Sequence, residues 1–402
     1  AQGDALKATF KRGLIETLEE VNISGLRGRG GAGFTTAMKW KFCLEEKETE
    51  RYVICNADEG EPGTFKDRVL LNSFAHQVFE GMTICSAIIG SQQGFLYLRG
   101  EYLHLYDQLQ SVLDQRRKQG LLGKNIIQSG LDFDIEICLG AGAYICGEES
   151  ALIESLEGKR GIPRNRPPYP VTEGYLNKPT VVNNVETFLA TANIAFNGGK
   201  QFSVLGTKKS TGTKILSISG DCQLPGIFEY PFGTSIKQIL KDCGAENVLG
   251  VQVGGPSGTF ISNQEFDRVL AFEDLATGGS FIIFNKDRNI LDLVKNFTHF
   301  FAHESCGFCT PCRVGTSLSN DILGKIAHGQ GTPHDIERLS RINDLSSSMS
   351  QCGLGQSAHN ALNDALRHFP DCFNKRLQTK KHALALDLEQ EIVRITLNEE
   401  SH

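Results

Sequence analysis

Four cysteines have the type and spacing to hold a metal–sulfur group. Cys306-Gly307-Phe308-Cys309-Thr310-Pro311-Cys312 sets three thiols within seven residues, and Cys352 follows 40 residues later. Two consecutive C-x-x-C steps wrap a loop round a compact object and present three sulfurs to it. A [4Fe–4S] cube takes its ligands in this way, with the fourth coming from a distant segment. Structural zinc is the rival metal, but it usually draws on two separated ligand pairs rather than three and one. Unliganded thiols are the plain alternative. The other eight cysteines (Cys43, Cys55, Cys85, Cys138, Cys146, Cys222, Cys243, Cys372) are scattered, mostly in apolar runs, and read as small buried hydrophobes.

A second chemistry lies in the glycine clusters. Gly28, Gly30 and Gly33 form a literal G-x-G-x-x-G within Gly25–Phe34. A dinucleotide fingerprint should follow a strand, whereas a helix-like segment precedes this one, so the ordinary Rossmann reading is in doubt. Successive glycines still free backbone amides to converge on a phosphate, and a helix start follows. Arg27, Arg29 and Lys39 add positive charge; a flexible surface loop is the alternative. Asn56-Ala57-Asp58-Glu59-Gly60-Glu61-Pro62-Gly63 leaves the C-terminal end of a strand, where ligands sit in open α/β sheets. Carboxylates there accept hydrogen bonds from ribose or ribityl hydroxyls. A calcium loop fails because Gly60 stands where a side-chain ligand is needed and no Glu fills the twelfth position; a solvated acidic turn remains open. Gly140–Glu149 is another strand-to-glycine-to-helix passage, whose Glu148 and Glu149 either face the same pocket or serve as first-turn acids.

The elements that must position these residues alternate. Helical spacing covers Ala5–Val21, Thr36–Glu46, Leu70–Ile89, Tyr102–Gln119 and Glu148–Leu156; strands are expected at Arg51–Cys55, Gly94–Arg99 and Asp134–Leu139. That order predicts an α/β layer with a largely parallel sheet. Residues 158–184, rich in Pro, Arg and Asn, read as a long irregular loop. Beyond Gly198, short strands at Lys214–Ser219, Gly226–Tyr230, Val248–Val253 and Ser280–Phe284 surround one helix, Ser235–Cys243. From Leu291 to the end the pattern is helical. Three domains follow: 1–200, 201–288 and 289–402.

The chain has 402 residues, 40% apolar and 22% charged, enough for a real core. A net charge of −6 excludes nucleic acid as the main partner, since phosphate backbones need a Lys/Arg surplus. No stretch approaches the roughly 20 apolar residues of a membrane span, and Ala1–Thr9 lacks a secretory layout. Twelve cysteines without such a signal point to a reducing, cytoplasmic setting.

Together the motifs resemble a known family. Gly28–Phe34 with Lys39-Trp40, Asn56–Arg68, Gly142–Glu149, Asn183–Thr187 and Glu304–Arg313 look like the NADH-binding flavoprotein subunit of respiratory complex I. Diaphorase subunits of NAD-reducing hydrogenases and NAD-dependent formate dehydrogenases belong to the same family. Phe308 and Arg313-Val314-Gly315 resemble the [NiFe]-hydrogenase diaphorases more closely. The resemblance implies a Rossmann-like FMN- and NAD-binding domain, a ubiquitin-like β-grasp domain and a C-terminal helical bundle with a [4Fe–4S] cluster on Cys306, Cys309, Cys312 and Cys352. It implies FMN contacts at Gly28, Gly30, Lys39, Asn56, Asp58, Gly147, Glu148, Asn183 and Asn184. NADH contacts are implied at Phe34, Phe42, Glu61, Glu149, Arg166 and Tyr169, with Arg29, Glu59 and Tyr144 completing the cofactor set. Relatives often carry Phe at the position of Tyr169 and Lys at that of Arg166; stacking and phosphate binding survive both changes.

The activity implied is that of an NAD-dependent flavin and iron–sulfur oxidoreductase. Hydride passes between NAD(H) and FMN, and single electrons then pass through the cluster to or from an iron–sulfur subunit and hydrogenase subunits. No side chain is needed as acid or base; Glu61 and Glu149 position. Some relatives carry an N-terminal [2Fe–2S] extension, expected here in another subunit or outside this sequence. The alternatives are a complex I or formate dehydrogenase subunit, and a non-catalytic scaffold whose cluster is structural.

Overall fold

A computed structural model describes residues 3–378. The helical pattern expected over 379–402 lies outside the described residues. The chain is mixed α/β with two five-stranded sheets.

The first sheet has the order β3-β4-β2-β1-β5 and is built from β1 (Tyr52–Ala57), β2 (Gln93–Leu98), β3 (Gly123–Ile126), β4 (Leu131–Leu139) and β5 (Thr180–Asn184). β1 runs parallel to β2 and β5, and β2 to β4; β3 alone is antiparallel. The largely parallel sheet expected from the alternation is therefore present. Two of its strands are new. β3 is too short and polar to read as a strand, and β5 lies inside the segment expected to be irregular throughout.

The sheet is buried on both faces. Val53, Cys55, Ala57, Leu96, Leu98 and Val181 enter one core. Their neighbours Tyr52, Ile54, Phe95, Tyr97 and Val182 enter another, as the period of two along a strand requires. The first core is covered by α1 (Asp4–Arg12), α2 (Leu14–Ile23), α3 (Thr36–Glu45), α4 (Lys66–Ile89), α5 (Tyr106–Lys118) and the later helix α7 (Val185–Asn197). The second is covered by α6 (Glu149–Leu156) and by the cysteine-bearing segments. The single helix expected over Ala5–Val21 is broken at Gly13, whose φ of 110° no L-residue adopts readily. Residues 102–105, expected to open the α-helix Tyr102–Gln119, instead end a 3-10 turn over Gly100–Leu105.

After α8 (Gly199–Ser203), the second sheet has the order β7-β6-β10-β8-β9. Its strands are β6 (Thr213–Gly220), β7 (Gly226–Pro231), β8 (Val248–Val253), β9 (Thr259–Ser262) and β10 (Ser280–Asn285). Only the central β6–β10 pair is parallel. α9 (Ile236–Asp242) packs on it, with the Ser235 side chain capping Gln238 N. β9, four residues long, carries no sequence signal of its own.

The helices that follow are α10 (Ile290–Glu304), α11 (Thr310–Ala327), α12 (Pro333–Met349), α13 (Gly353–Ser357), α14 (Asn360–His368) and α15 (Pro370–Asn374). Their core joins Ile290, Leu323, Leu339 and Leu362 to Phe260 and Phe284 of the second sheet. Thr332 and Asp335 form a reciprocal capping box that starts α12.

α4 and α7 touch backbone to backbone. A Cβ on Gly81 would lie 2.0 Å from the Phe188 carbonyl oxygen. Gly81→Ala should therefore destabilise the fold by about 1–3 kcal/mol. Gly324→Ala in α11, where a Cβ meets nothing within 4 Å, should be neutral or stabilising by up to about 1 kcal/mol. Denaturant unfolding of the two variants side by side checks the pair.

Candidate functional site

The C-terminal ends of β1, β4 and β5 open on one side of the first sheet. They deliver Asn56–Gly63, Gly140–Glu149 and Asn183-Asn184 to a common region, where ligands gather in open α/β sheets.

The glycine loop closes this region. Arg27 and Thr35 pair across its base, and Gly28 N donates to Phe34 O at 2.8 Å. Among the described residues, the amides of Gly30, Gly31, Ala32 and Gly33 form no backbone hydrogen bond. A Cβ at Gly30 would come within 3.3 Å of Asn184 Cβ, so the loop lies directly against the start of α7. Unpartnered amides beside a helix N-terminus suit an anion. The loop is backed by Gly278, in the bend just before β10; a Cβ there would lie 3.2 Å from the Gly30 oxygen. Arg29 is turned inward. Its guanidinium donates to the carbonyls of Arg27, Thr211 and Thr213 at 2.5–3.1 Å, and burial lowers its pKa to about 10.

Lys39, on α3, donates to Glu149 Oε2 (2.8 Å) and Val182 O (3.0 Å). Trp40 Nε1 donates to Asn183 Oδ1 at 2.9 Å. Asn56 Nδ2 donates to Gly147 O at 2.8 Å, tying the end of β1 to the passage after β4. Glu148 caps α6 by accepting from Ser150 N and Ala151 N, and Arg166 approaches Glu148 and Glu149 to 3.5 and 4.0 Å. Two carboxylate oxygens in this region are buried without a hydrogen-bond partner: Asp58 Oδ2, and Glu148 Oε1, which has only the Arg166 ion pair at 3.5 Å. Such orphans are costly unless a ligand supplies donors, and ribityl or ribose hydroxyls are suitable ones. Burial pushes the Asp58 carboxyl up to about 7, opposed by Arg99 and helped by Glu101 and Glu304. With the open amides, this donor–acceptor set fits a flavin nucleotide.

Glu59 stands apart from the other acids. It accepts from Asp67 N, Arg68 N and the Tyr102 hydroxyl, so its carboxylate caps α4 instead of facing the pocket. Glu61 accepts from Ser257 N and the Tyr144 hydroxyl, and burial raises its pKa. Phe34 and Phe42 are exposed, with ring centroids 6.4 Å apart; Tyr169 is exposed on its own loop.

All four candidate ligand cysteines enter the core on the second face of the first sheet, Cys312 and Cys352 buried, Cys306 and Cys309 at its margin. Cys306, Cys309 and Cys352 are all close enough to Cys312 to perturb it electrostatically. Among the described residues, however, no group of three His, Cys, Asp or Glu side chains is set to hold a single metal ion. One zinc ion draws its sulfurs to about 2.3 Å. A cube receives each thiolate at a different corner, and the three-plus-one distribution of these cysteines along the chain suits it, whereas structural zinc draws on two separated pairs.

The two regions meet at Tyr144. Its hydroxyl bonds Glu61, its amide donates to Glu304 Oε2 (3.1 Å), and its ring packs on Phe300 at 5.0 Å. Residues 158–184 bridge them again. Arg160 donates to Cys306 O (2.9 Å), and Gln351 donates to Pro163 O (2.8 Å) and Asn165 Oδ1 (3.0 Å). Sequence reasoning missed Lys66, Ser257 and Glu186, which hold site residues from behind. Lys66 and Glu186 lie inside the motifs Asn56–Arg68 and Asn183–Thr187 and Ser257 in none; their roles were missed because the groups they hold lie more than 100 residues away.

Residues 21–193 match the family described as the Nuo51 FMN-binding domain, and residues 292–376 the NADH-ubiquinone oxidoreductase-F iron-sulfur binding region. The chain is 47% identical to NAD-reducing hydrogenase HoxS subunit alpha of Cupriavidus necator, over 90% of this chain and 60% of that protein. It is 40% identical to an NADH-quinone oxidoreductase subunit of Escherichia coli, over 89% of this chain and 83% of that one. A solved NAD+-reducing [NiFe]-hydrogenase in the H2-reduced state superposes with a TM-score of 0.91 at 44% identity, covering 100% of this chain and 69% of its own. The chain belongs to the family whose members include these matching subunits of NADH-quinone oxidoreductases and of NAD(P)-reducing hydrogenases.

Proposed function

We propose that this chain is the diaphorase subunit of an NAD-reducing hydrogenase, exchanging electrons between NAD(H) and a partner iron–sulfur subunit. The observation that carries the reading is the Tyr144 junction, which joins a carboxylate-lined pocket to the four thiols through directly packed protein. FMN supplies a hydride acceptor that can release electrons singly, and a [4Fe–4S] cluster supplies a one-electron carrier.

The chain's own residues do the positioning. Gly30–Gly33 present amides to the phosphate, and Gly28, its own amide bonded to Phe34 O, closes the base of their loop. Asp58, Glu148, Asn56 and Asn183 take the ribityl and ring polar atoms, with Lys39 and Gly147 beside them, and Asn184 sets the start of α7 against the glycine loop. Phe34, Phe42 and Tyr169 offer aromatic faces to the adenine, and Arg166, Glu61 and Glu149 orient the rest of NAD(H). Arg29 and Glu59 support from behind, and Tyr144 holds Glu61. Cys306, Cys309, Cys312 and Cys352 hold the cluster. The three-part division at 200 and 288, with a Rossmann-like, a β-grasp and a helical part, belongs to this reading. It is supported by the two sheets and by the parallel central pair of the second.

Exposed Phe308, Val314, Leu318, Leu345 and Met349, on the cysteine loop and on α11 and α12, offer the partner an apolar face. Among the described residues no helix is long and apolar enough to cross a membrane; a cytoplasmic site is part of the proposal. The second reading, a complex I subunit, rests on 40% identity to the NADH-quinone oxidoreductase relative against 47% to the hydrogenase protein.

Anaerobic mixing with NADH should bleach the flavin band first and the broad iron–sulfur absorbance afterwards. Cys352→Ala should lower the iron content and remove the second phase while keeping the first. No bleaching at all in FMN-loaded protein would leave only the scaffold reading.

Asp58 gives a pH test. Its folded pKa of about 7 lies above the unfolded carboxylate value. Its contribution is therefore fully present below the unfolded pKa and is lost as pH rises through 7. Flavin-free Asp58→Asn should exceed the parent by on the order of 1–2 kcal/mol at pH 5, already above the unfolded pKa, and by about 2–3 kcal/mol more at pH 8. Thermal melts at the two pH values decide it.

A further inference from the structure

We propose that Lys66 is a positioning residue of the flavin site, holding the Asn184 carboxamide so that the pocket prefers a phosphorylated flavin. The inference rests on the flavin reading above and adds a residue outside the candidate set.

Lys66 is 1% exposed and opens α4. Its ammonium donates to Asp67 Oδ1 at 2.6 Å and Asn184 Oδ1 at 3.0 Å and is ion-paired with Glu186 Oε2 at 3.1 Å. Asn184 is gripped from both ends. Its oxygen accepts from Lys66 and from Glu186 N (3.0 Å), and its nitrogen donates to Asp67 Oδ2 (2.7 Å). That pattern fixes which end of the amide is nitrogen and which way the group faces. Asn184 is also the N-cap of α7, and Gly30 of the open-amide loop lies against its Cβ. Any shift of Asn184 therefore moves the helix start and the glycine loop relative to each other, at the place best suited to an anion.

Lys66 is itself held firmly. Its side chain lies along Gly279, the preceding Phe65 N donates to Ser217 Oγ (2.9 Å), and Glu186 is shared with Lys214 of β6. The second sheet thus sets the position of Lys66, and Lys66 sets that of Asn184. The bland alternative is an ion pair that only stabilises the contact between the two sheets. Such a pair would affect every flavin alike.

The test uses the full protein stripped of flavin and titrated with FMN and with riboflavin, which has the same ring and ribityl chain without phosphate. Lys66→Met should weaken FMN binding about tenfold or more and riboflavin binding by less than about twofold. Lys66→Arg, which keeps charge and donors, should recover most of the preference. In an Asn184→Ala background, Lys66→Met should change the FMN-to-riboflavin ratio no further. If Lys66→Met does not fold, Asp67→Asn releases the other end of the same carboxamide and should shift the same ratio. Equal losses for both flavins, or an undiminished effect without Asn184, would overturn the proposal. A parent protein that binds neither flavin would overturn the flavin reading itself, and this proposal with it.

Discussion

Burial of the first sheet on both faces is the constraint on which the rest of the structure depends. Along β1, β2 and β5, alternate side chains fall into two different cores. One is an ordinary helix-on-sheet interior. The other is closed by α6 and by the cysteine loop, with Phe301 and Leu354 packed beside Cys312 and Cys352. A parallel sheet requires both faces covered, and here the second cover is the metal-binding part itself. The same strands therefore end at the nucleotide pocket and carry the thiols on their flank. Proximity of the two sites is a consequence of sheet architecture and needs no dedicated bridge.

The second dependence is electrostatic. Lys66, Lys214 and Arg29 gather round Glu186 and Asp67, all essentially out of water. Isolated charges in such a place would cost far more than a domain's net stability, so the network exists only as a set. Burial lowers Lys214 to about 7; against the same burial, its carboxylate neighbours hold Lys66 well above its usual value. The pocket carboxylates show the complementary pattern. Asp58 and Glu59 are both pushed up to about 7 by burial, yet Glu59 has three protein donors and Asp58 retains an orphan oxygen. Burial alone does not separate a support from a ligand contact; the inventory of partners does.

Much of this was legible in the sequence, for identifiable reasons. The C-x-x-C steps, the strand-end acids and the glycine loop are local patterns, and local geometry is what a sequence encodes directly. The parallel sheet followed from alternating periodicities, and six of the seven strands expected match to within two residues at each end. What was missed is non-local. β5 sits in a Pro- and Asn-rich stretch and becomes a strand only because β1 offers it an edge. Gly13 ends a helix through backbone conformation that apolar spacing does not register. Arg29 and Glu59 lie in the right motifs, but their side chains are claimed by Thr211, Thr213, Asp67 and Tyr102. Composition cannot announce partners so distant.

Two kinds of contact could set the relation between pocket and thiols, and their magnitudes differ. The 158–184 segment contributes three partly exposed hydrogen bonds, from Arg160 and Gln351. Each is worth about 0.5–1.5 kcal/mol net. The shared core contributes Ile54, Phe95, Tyr97, Leu152, Val182, Phe301 and Leu354, all buried, each worth about 1.5–3 kcal/mol. The core therefore determines where the thiols sit, and the segment adjusts to it. Arg166 and Tyr169 occupy that weaker segment, so nucleotide contacts there can move without displacing the thiols. Glu61 and Tyr144 cannot, because Ser257, Glu304 and Phe300 hold them from the second sheet and α10. The pocket is thus held by buried packing on its side towards the cysteines and by partly exposed hydrogen bonds on its side towards solvent.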